Sequence, residues 1–371
     1  MSKATEIHQK NEKVKRHYFD QKRGADGFSD KSILAVEKAI WKYEDFTKQE
    51  DFVLFNSKRA DQFKKYLSTN VNKRSGQVLG VKSQYHHLRH LREFFLWLSS
   101  QPGYKTRVKV GDVMYLQLPK KERQMATAPS EPRYPTIEQI KKLCSFPVES
   151  EIDRRDRALI AFTAITGMRD RAIVTLRIGC YVPETRMVKQ LPSMGVETKF
   201  SKEIYTTLLP IDPELYRYFS EWYEYLVKER HFGIEDPLFP CTEIAQIGPE
   251  HHAYEVKGVS QRFWKDAGPM RKIFRDRAKQ TGVEYFYPHT FRHFVTNIAE
   301  KYMTTPEQMK ALSQNLGHEH IATTYRSYGS IGTSRVNELM RSLDFSGKST
   351  SHSDEEVRRV TQLVLEQMQN K

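Results

Sequence analysis

Three apolar stripes at helical spacing lie in the first third of the chain. Ile33, Val36, Ile40 and Tyr43 recur at three- and four-residue steps behind Ser29 or Asp30, either of which caps a helix, and Trp41 and Phe46 widen that face. Ser57 caps a second helix carrying Ala60, Phe63, Tyr66 and Leu67, with Lys58, Arg59, Lys64 and Lys65 on its other side. Ser83 opens a third, with Leu88, Leu91, Phe95 and Leu98 inside and His87, Arg89, His90 and Arg92 mostly outside, ending near Gln101-Pro102-Gly103. Residues 28–118 are therefore expected to form a small helical bundle with one basic side. The polar stretch before it, residues 1–27, reads as a solvated basic leader.

The pattern then breaks. Residues 119–135 are charged and proline-rich with little apolar content, the signature of a linker. Thr136 restarts a helix through Thr136-Ile137-Glu138-Gln139, a capping pattern. Asp153 to Gly167 predicts a buried helix around Ala158, Leu159, Ile160, Phe162 and Ile165, and Asp170 to Leu176 a short one. Residues 180–211 carry strand-like β-branched and aromatic runs. Residues 213–230 form a Tyr- and Trp-rich helix, 236–258 read as an irregular surface insertion, and helices resume at Ser260–Thr281, Phe294–Tyr302 and Pro306–Leu316, the last ending at Gly317. From Ser346 a polar linker leads to an amphipathic helix with Val357, Val360, Leu363, Val364 and Met368, whose stripe requires a partner surface. The fold class expected is mainly α with a small antiparallel sheet: a helical N-terminal domain and an α+β domain over 136–345.

Composition narrows the partner. The 371 residues carry a net charge of +14, which favours a polyanion, with DNA or RNA first. No apolar run approaches the ~20 residues needed to span a bilayer. The N-terminus has no apolar signal core, so a cytoplasmic, nucleoid-associated protein is expected. The three cysteines, Cys144, Cys180 and Cys241, lack metal-ligand spacing and read as reduced thiols.

The chemistry concentrates in Tyr287-Pro288-His289-Thr290-Phe291-Arg292-His293, followed by Leu316-Gly317-His318 and Thr323-Thr324-Tyr325-Arg326-Ser327-Tyr328, with Thr166-Gly167-Met168-Arg169 far upstream. Guanidinium forks match phosphate oxygens and stay charged at any working pH, and a tyrosine flanked by such charges can act as a covalent nucleophile. Arg, Arg, His, His and Tyr without a carboxylate cluster thus suit holding and attacking a phosphodiester. There is no carboxylate triad for Mg²⁺ and no Walker-type loop for ATP, so neither metal nor cofactor is expected.

The order and spacing of these boxes over residues 136–345 resemble the tyrosine recombinase (phage integrase) family: its Thr-Gly-x-Arg box, its His-x-x-Arg-His box, its Leu-Gly-His turn and its terminal tyrosine. The resemblance implies a site-specific recombinase that cleaves and rejoins double-stranded DNA through a 3′-phosphotyrosine. Four protomers would exchange strands between two sites through a Holliday junction, sometimes with accessory DNA-bending proteins. Arg169 and Arg292 then clamp the phosphate, His289 orients it or accepts the tyrosine proton, and His318 donates to a phosphate oxygen. Lys199, or Lys202 beside it, acts as general acid from a β-hairpin. Tyr328, ten residues after His318, is the nucleophile, and Tyr325 packs. Residues 28–118 become a DNA-clamping core-binding domain, and residues 346–371 a segment that packs on a neighbouring protomer. One position departs from the pattern: three residues after Arg169, where the family is usually acidic, stands Ala172. A type IB topoisomerase-like nicking–closing enzyme and a non-catalytic regulator derived from a recombinase remain the alternatives.

Overall fold

The computed structural model describes residues 3–71, 76–128, 133–246, 254–303 and 305–318. The chain divides into two compact units, Met1–Pro129 and Ser130–Lys371.

The first unit is helical: α1 (Lys3–Gly24), α2 (Asp30–Thr47), α3 (Ser57–Thr69), α4 (Val81–Leu98), α5 (Val110–Val113) and α6 (Lys120–Thr127). Ser29 caps α2 by accepting from the Ser32 amide, and Asn56 caps α3 by accepting from Arg59, one residue earlier than the serine expected there. Aromatic rings fill the core. Phe55 stacks on Phe95 with centroids 3.9 Å apart, and Tyr43 meets Phe63 edge-on at 5.2 Å. Trp41, expected on the buried face, is 46% exposed.

Two expectations change here. The leader is a helix that belongs to the bundle, because its buried face is built from groups that read as polar. Lys15 is buried against Glu44 at 2.7 Å, and Tyr18 and Phe19 close over the core beside it. Part of the expected linker is also helical: Lys120 to Ala126 are good helix formers, and α6 packs on α4 through the buried Ala126.

The second unit is built on α8 (Glu151–Thr166), which is buried along most of its length. Before it comes α7 (Ile137–Leu143), begun by the expected capping box of Thr136 and Gln139. After it come the four-residue α9 (Asp170–Ile173) and a three-stranded antiparallel sheet, β1 (Tyr181–Val182), β2 (Met187–Gln190) and β3 (Ile204–Thr207), in the order β1-β2-β3. Helix α10 (Pro213–Glu224) packs on α8 and widens into a π turn over Tyr225–Glu229. The segment expected to be irregular holds an antiparallel pair, β4 (Thr242–Gln246) and β5 (Tyr254–Val259). Its prolines, Pro237 and Pro240, precede β4 and leave the pairing intact, while His251 and His252 lie outside the described residues. Glu151 at the head of α8 holds the returning strand, accepting from the Val259 amide at 2.7 Å and from Arg230 at 2.7 Å.

Helix α11 (Gly268–Thr281) starts eight residues later than Ser260, the expected start. The intervening backbone folds back on Cys241 instead, through Cys241 N–H to Arg262 at 2.8 Å and Ser260 N–H to Cys241 at 2.9 Å. Helices α12 (Thr290–Glu300) and α13 (Pro306–Asn315) complete the described part of the unit. The fold is thus mainly α with small antiparallel sheets.

Candidate active site

The site begins where α8 stops. Gly167 takes the left-handed conformation (φ 60°) and its amide donates to Thr163 at 3.0 Å. The reversal buries Met168 and sets Arg169 at the N-cap of α9. Glycine is required here on two counts: its positive φ, and a Cβ that would stand 3.2 Å from both Leu316 Cδ2 and Val295 Cβ.

Arg292 enters from the first turn of α12 and is 5% exposed. Its Nη1 donates to the Gly167 carbonyl at 3.1 Å, its Nη2 to the Leu316 carbonyl, and its Nε to His318 Nε2 at 3.3 Å. The two carbonyls are those left over at the ends of α8 and α13, which have no intrahelical donor and carry the negative end of each helix dipole. A buried guanidinium normally demands a carboxylate. Here two helix C-termini take that place, and three of the five N–H groups are spent on holding the fork still. Burial, and then the neighbouring Arg169, hold the Arg292 pKa down; burial does the same to Arg169, and among the described residues no acidic group offsets either shift. The guanidinium nonetheless stays charged. Two mutually repelling cations with no compensating carboxylate among the described residues create a local demand for an anion.

His318 is presented by a turn that the small sheet supports. Gly317 (φ 65°) breaks α13, its amide donating to Gln314 at 2.8 Å, and the His318 amide donates to Ser313 at 2.9 Å. Asn315 pairs like a strand residue with Thr207 of β3: the Thr207 amide donates to Oδ1 at 2.6 Å and Nδ2 donates to the Thr207 carbonyl at 3.2 Å. Thr206 Oγ1 donates to the Asn315 carbonyl at 2.7 Å and is itself held by Gln190 of β2 at 2.7 Å. Burial first, then Arg292 and Arg169, push the His318 imidazole down to about 3. A neutral imidazole that accepts at Nε2 carries its proton on Nδ1.

His289 occupies the N-cap position of α12, three residues before Arg292, and its ring meets that of His293 edge-on with centroids 5.8 Å apart. Burial, then Arg292, His293 and Arg169, lower its pKa, against a smaller opposing pull from Asp170. His289 is exposed in the folded chain, and the downward shift favours its uncharged imidazole, which is able to accept a proton. Arg169 and Arg292 both lower the pKa of His289 and of His318, so the four side chains form one cluster.

Lys199 is not among the leading influences on either histidine. It lies on the β2–β3 connection as expected, in a short turn (Lys199–Ser201), with Nζ 4.7 Å from the centroid of the exposed Phe200 ring. Lys202 follows just before β3. Tyr328 and Tyr325 lie outside the described residues, as does the amphipathic tail. Ala172 is buried in the core, where a carboxylate would be desolvated. Its neighbours carry the charge: Asp170 accepts from Arg271 Nε and Nη2 at 2.9 and 2.6 Å, and Arg271 lies 5.0 Å over the Tyr287 ring. Sequence reasoning passed over this pair because its members are 101 residues apart. Among the described residues no three His, Cys, Asp or Glu side chains group as metal ligands, and no helix is long and apolar enough to cross a membrane.

Residues 134–333, more than half of the chain, match the model of the phage integrase family. The chain is a member of the phage integrase family. Among curated proteins this integrase-family chain is similar to a tyrosine recombinase XerC of Chromobacterium violaceum, 24% identical over 261 residues that span 70% of this chain and 73% of the relative. Among solved structures it shares its fold with a XerH site-specific recombinase in a post-cleavage complex with a palindromic difH substrate (TM-score 0.57, 14% identity, 83% of this chain and 78% of that one). It is also similar to a lambda integrase dimer bound to a COC′ core site (TM-score 0.57, 12% identity, 86% and 95% covered). A third neighbour is a Tn1549 transposon integrase in complex with a circular intermediate DNA (TM-score 0.52, 17% identity, 89% and 99% covered).

Proposed function

We propose that this phage integrase family member is a site-specific DNA recombinase that breaks and rejoins double-stranded DNA through a 3′-phosphotyrosine, with Tyr328 as the nucleophile. The observation that carries the reading is the buried Arg292 fork, held by two helix C-termini and acted on by Arg169, with no acidic group bearing on it among the described residues. The Arg292 fork is fixed before substrate arrives and, with Arg169, would stabilise charge that grows on the non-bridging phosphate oxygens.

The Tyr328 oxygen attacks phosphorus and its proton passes to the neutral His289; the bond from phosphorus to the 5′ oxygen breaks, and Lys199 delivers a proton to that oxygen. His318 donates an N–H to a non-bridging oxygen. Attack by a 5′ hydroxyl from a second site reverses the step and releases the tyrosine, so bond energy is conserved without ATP or a metal ion. Strand exchange between two sites through a Holliday junction calls for four protomers. The residue 28–118 bundle would clamp the duplex, the tail after Ser346 would pack on a neighbouring protomer, and accessory DNA-bending proteins would assist. The same chemistry serves integration or excision of a mobile element, transposition and chromosome resolution alike.

The test is covalent adduct formation on nicked duplexes carrying sites from the flanks of its own gene, with EDTA present. Wild type should form the adduct, Tyr325→Phe should keep it and Tyr328→Phe should abolish it. An adduct lost only with Tyr325→Phe would move the nucleophile. Tight binding by wild type without any adduct would favour a non-catalytic regulator.

A further inference from the structure

Helix α9 is only four residues long, yet it organises more than the arginine at its head. Arg171 lays its fork on the carboxylate of Glu197, Nε on one oxygen and Nη2 on the other, while its Nη1 donates to the Lys265 carbonyl at 2.9 Å. Thr175, just past the helix, accepts from the Glu197 amide at 3.0 Å through Oγ1, and that hydroxyl donates back to the Arg171 carbonyl at 3.1 Å. Glu197 is thus held by backbone and side chain from the element that begins with Arg169. Lys199 follows two residues later. Between Lys199 and β3 the chain turns through Phe200 (φ 61°) and Ser201 (φ 51°), left-handed conformations that side-chain-bearing residues avoid unless their surroundings impose them. Thr198 Oγ1 closes the turn on the Lys202 carbonyl at 2.6 Å.

We propose that the Arg171–Glu197 fork is a positioning device for the general acid: it fixes the Lys199 turn relative to Arg169, so that the proton donor and the phosphate clamp are registered by one short helix. The inference rests on the role given to Lys199 above. Arg171 and Glu197 retain 27% and 48% of their side-chain exposure, and ion pairs of that kind contribute little to stability. Their removal should therefore leave unfolding unchanged and slow only the step that needs the acid.

A 5′-bridging phosphorothiolate separates these effects, because a thiolate leaves without being protonated. Single-turnover cleavage is measured on a nicked duplex containing either linkage, alongside urea unfolding. Lys199→Ala should be about 100-fold slow on the ordinary linkage, at the lower end of what general acids contribute, and near wild type on the phosphorothiolate. Glu197→Gln and Arg171→Gln should be slowed about 10-fold and recover likewise, a loss small beside that of the acid itself. The exchange Arg171→Glu with Glu197→Arg should regain part of the rate. Glu197→Gln as fast as wild type on ordinary DNA would overturn the proposal. So would Glu197→Gln equally slow on both linkages while Lys199→Ala is rescued, which would mark a merely structural contact. Lys202→Ala rescued in place of Lys199→Ala would show the acid to be misassigned, and the positioning proposal as stated would fall with it. A wild type that cleaves neither linkage would sink the recombinase reading itself.

Discussion

Arg292 donates its Nε–H to Nε2 of His318 at 3.3 Å, joining the first turn of α12 to the turn that ends α13. The pair is set by backbone on both sides. The guanidinium is pinned to the Gly167 and Leu316 carbonyls, and the histidine turn is pinned to β3 by Asn315. Neither side chain has to search for its place when a phosphate arrives, and this is the condition under which fixed donors stabilise a transition state most.

Arg292→Lys keeps the charge and loses the fork. One ammonium cannot replace donors to two carbonyls and a histidine, so at least one buried acceptor is left unpaired, at a cost of about 1–3 kcal/mol. Cleavage should fall about 100- to 1,000-fold, as when a preorganised donor is removed from a charge-stabilising site. Urea unfolding and single-turnover cleavage of the same preparation measure both. A Lys variant with wild-type cleavage would show that the fork geometry is irrelevant.

Gly317→Ala should damage the His318 turn from two directions. The backbone is left-handed (φ 65°), and the new Cβ would lie 2.4 Å from Ile204 Cδ1 and 2.8 Å from its Cγ1. The expected loss is about 1–3 kcal/mol, in the range of imposed backbone strain. Adding Ile204→Val removes Cδ1, the nearest obstacle, and should restore part of the stability even though Ile204→Val alone costs about 0.5–1.5 kcal/mol. A double-mutant cycle in urea reads the coupling. Strict additivity would mean that the two residues do not collide.

How much of this was legible in the sequence depends on how local each cause is. The boxes around Arg169, His289, Arg292 and His318 announce themselves by letters and order, and the Thr136 cap and the Gly317 stop are decided within a few residues. The support of Arg292 is invisible by the same measure: its acceptors lie 125 and 24 residues away and are backbone carbonyls, which every residue possesses. Helix α1 was hidden because Lys15 reads as solvated until Glu44, 29 residues on, gives it a buried partner. The β4–β5 pair was hidden by Pro237 and Pro240, which turn out to precede it.

The half-buried His87 and His318, with the more exposed His289, make stability pH-dependent. His318 is pushed down to about 3, His87 of the first unit to about 4, and His289 downward as well, burial leading in each case. In the unfolded chain each titrates near 6.5. Below that pH the unfolded state binds more protons, so the stability these groups confer is complete above about pH 6.5 and is lost as pH falls toward the folded values. Wild type should unfold at lower urea at about pH 5 than at about pH 7.5, and His318→Gln should narrow the gap. An unchanged gap would mean that His318 is not held neutral.

Helix α1, polar enough to be expected in solvent, is tied into the first unit by a buried ion pair. Lys15 is 2% exposed and its ammonium lies 2.7 Å from Glu44 Oε2, while Glu44 is itself buried and has its carboxyl pushed above the usual range, burial outweighing the lysine. Lys15→Ala would leave that carboxyl in the core without its cation and should destabilise the first unit by about 3–5 kcal/mol, as breaking a buried pair does. Replacing both partners, Lys15→Met with Glu44→Leu, removes the charges together and preserves bulk, so it should be near neutral or stabilising. The two outcomes differ in sign of coupling, and urea unfolding of the two singles and the double distinguishes them. If Lys15→Ala were harmless, α1 would be the detached leader that its polar composition suggests. If it is costly and the double recovers, the helix is an integral wall of the bundle, closed by Tyr18 and Phe19 from within.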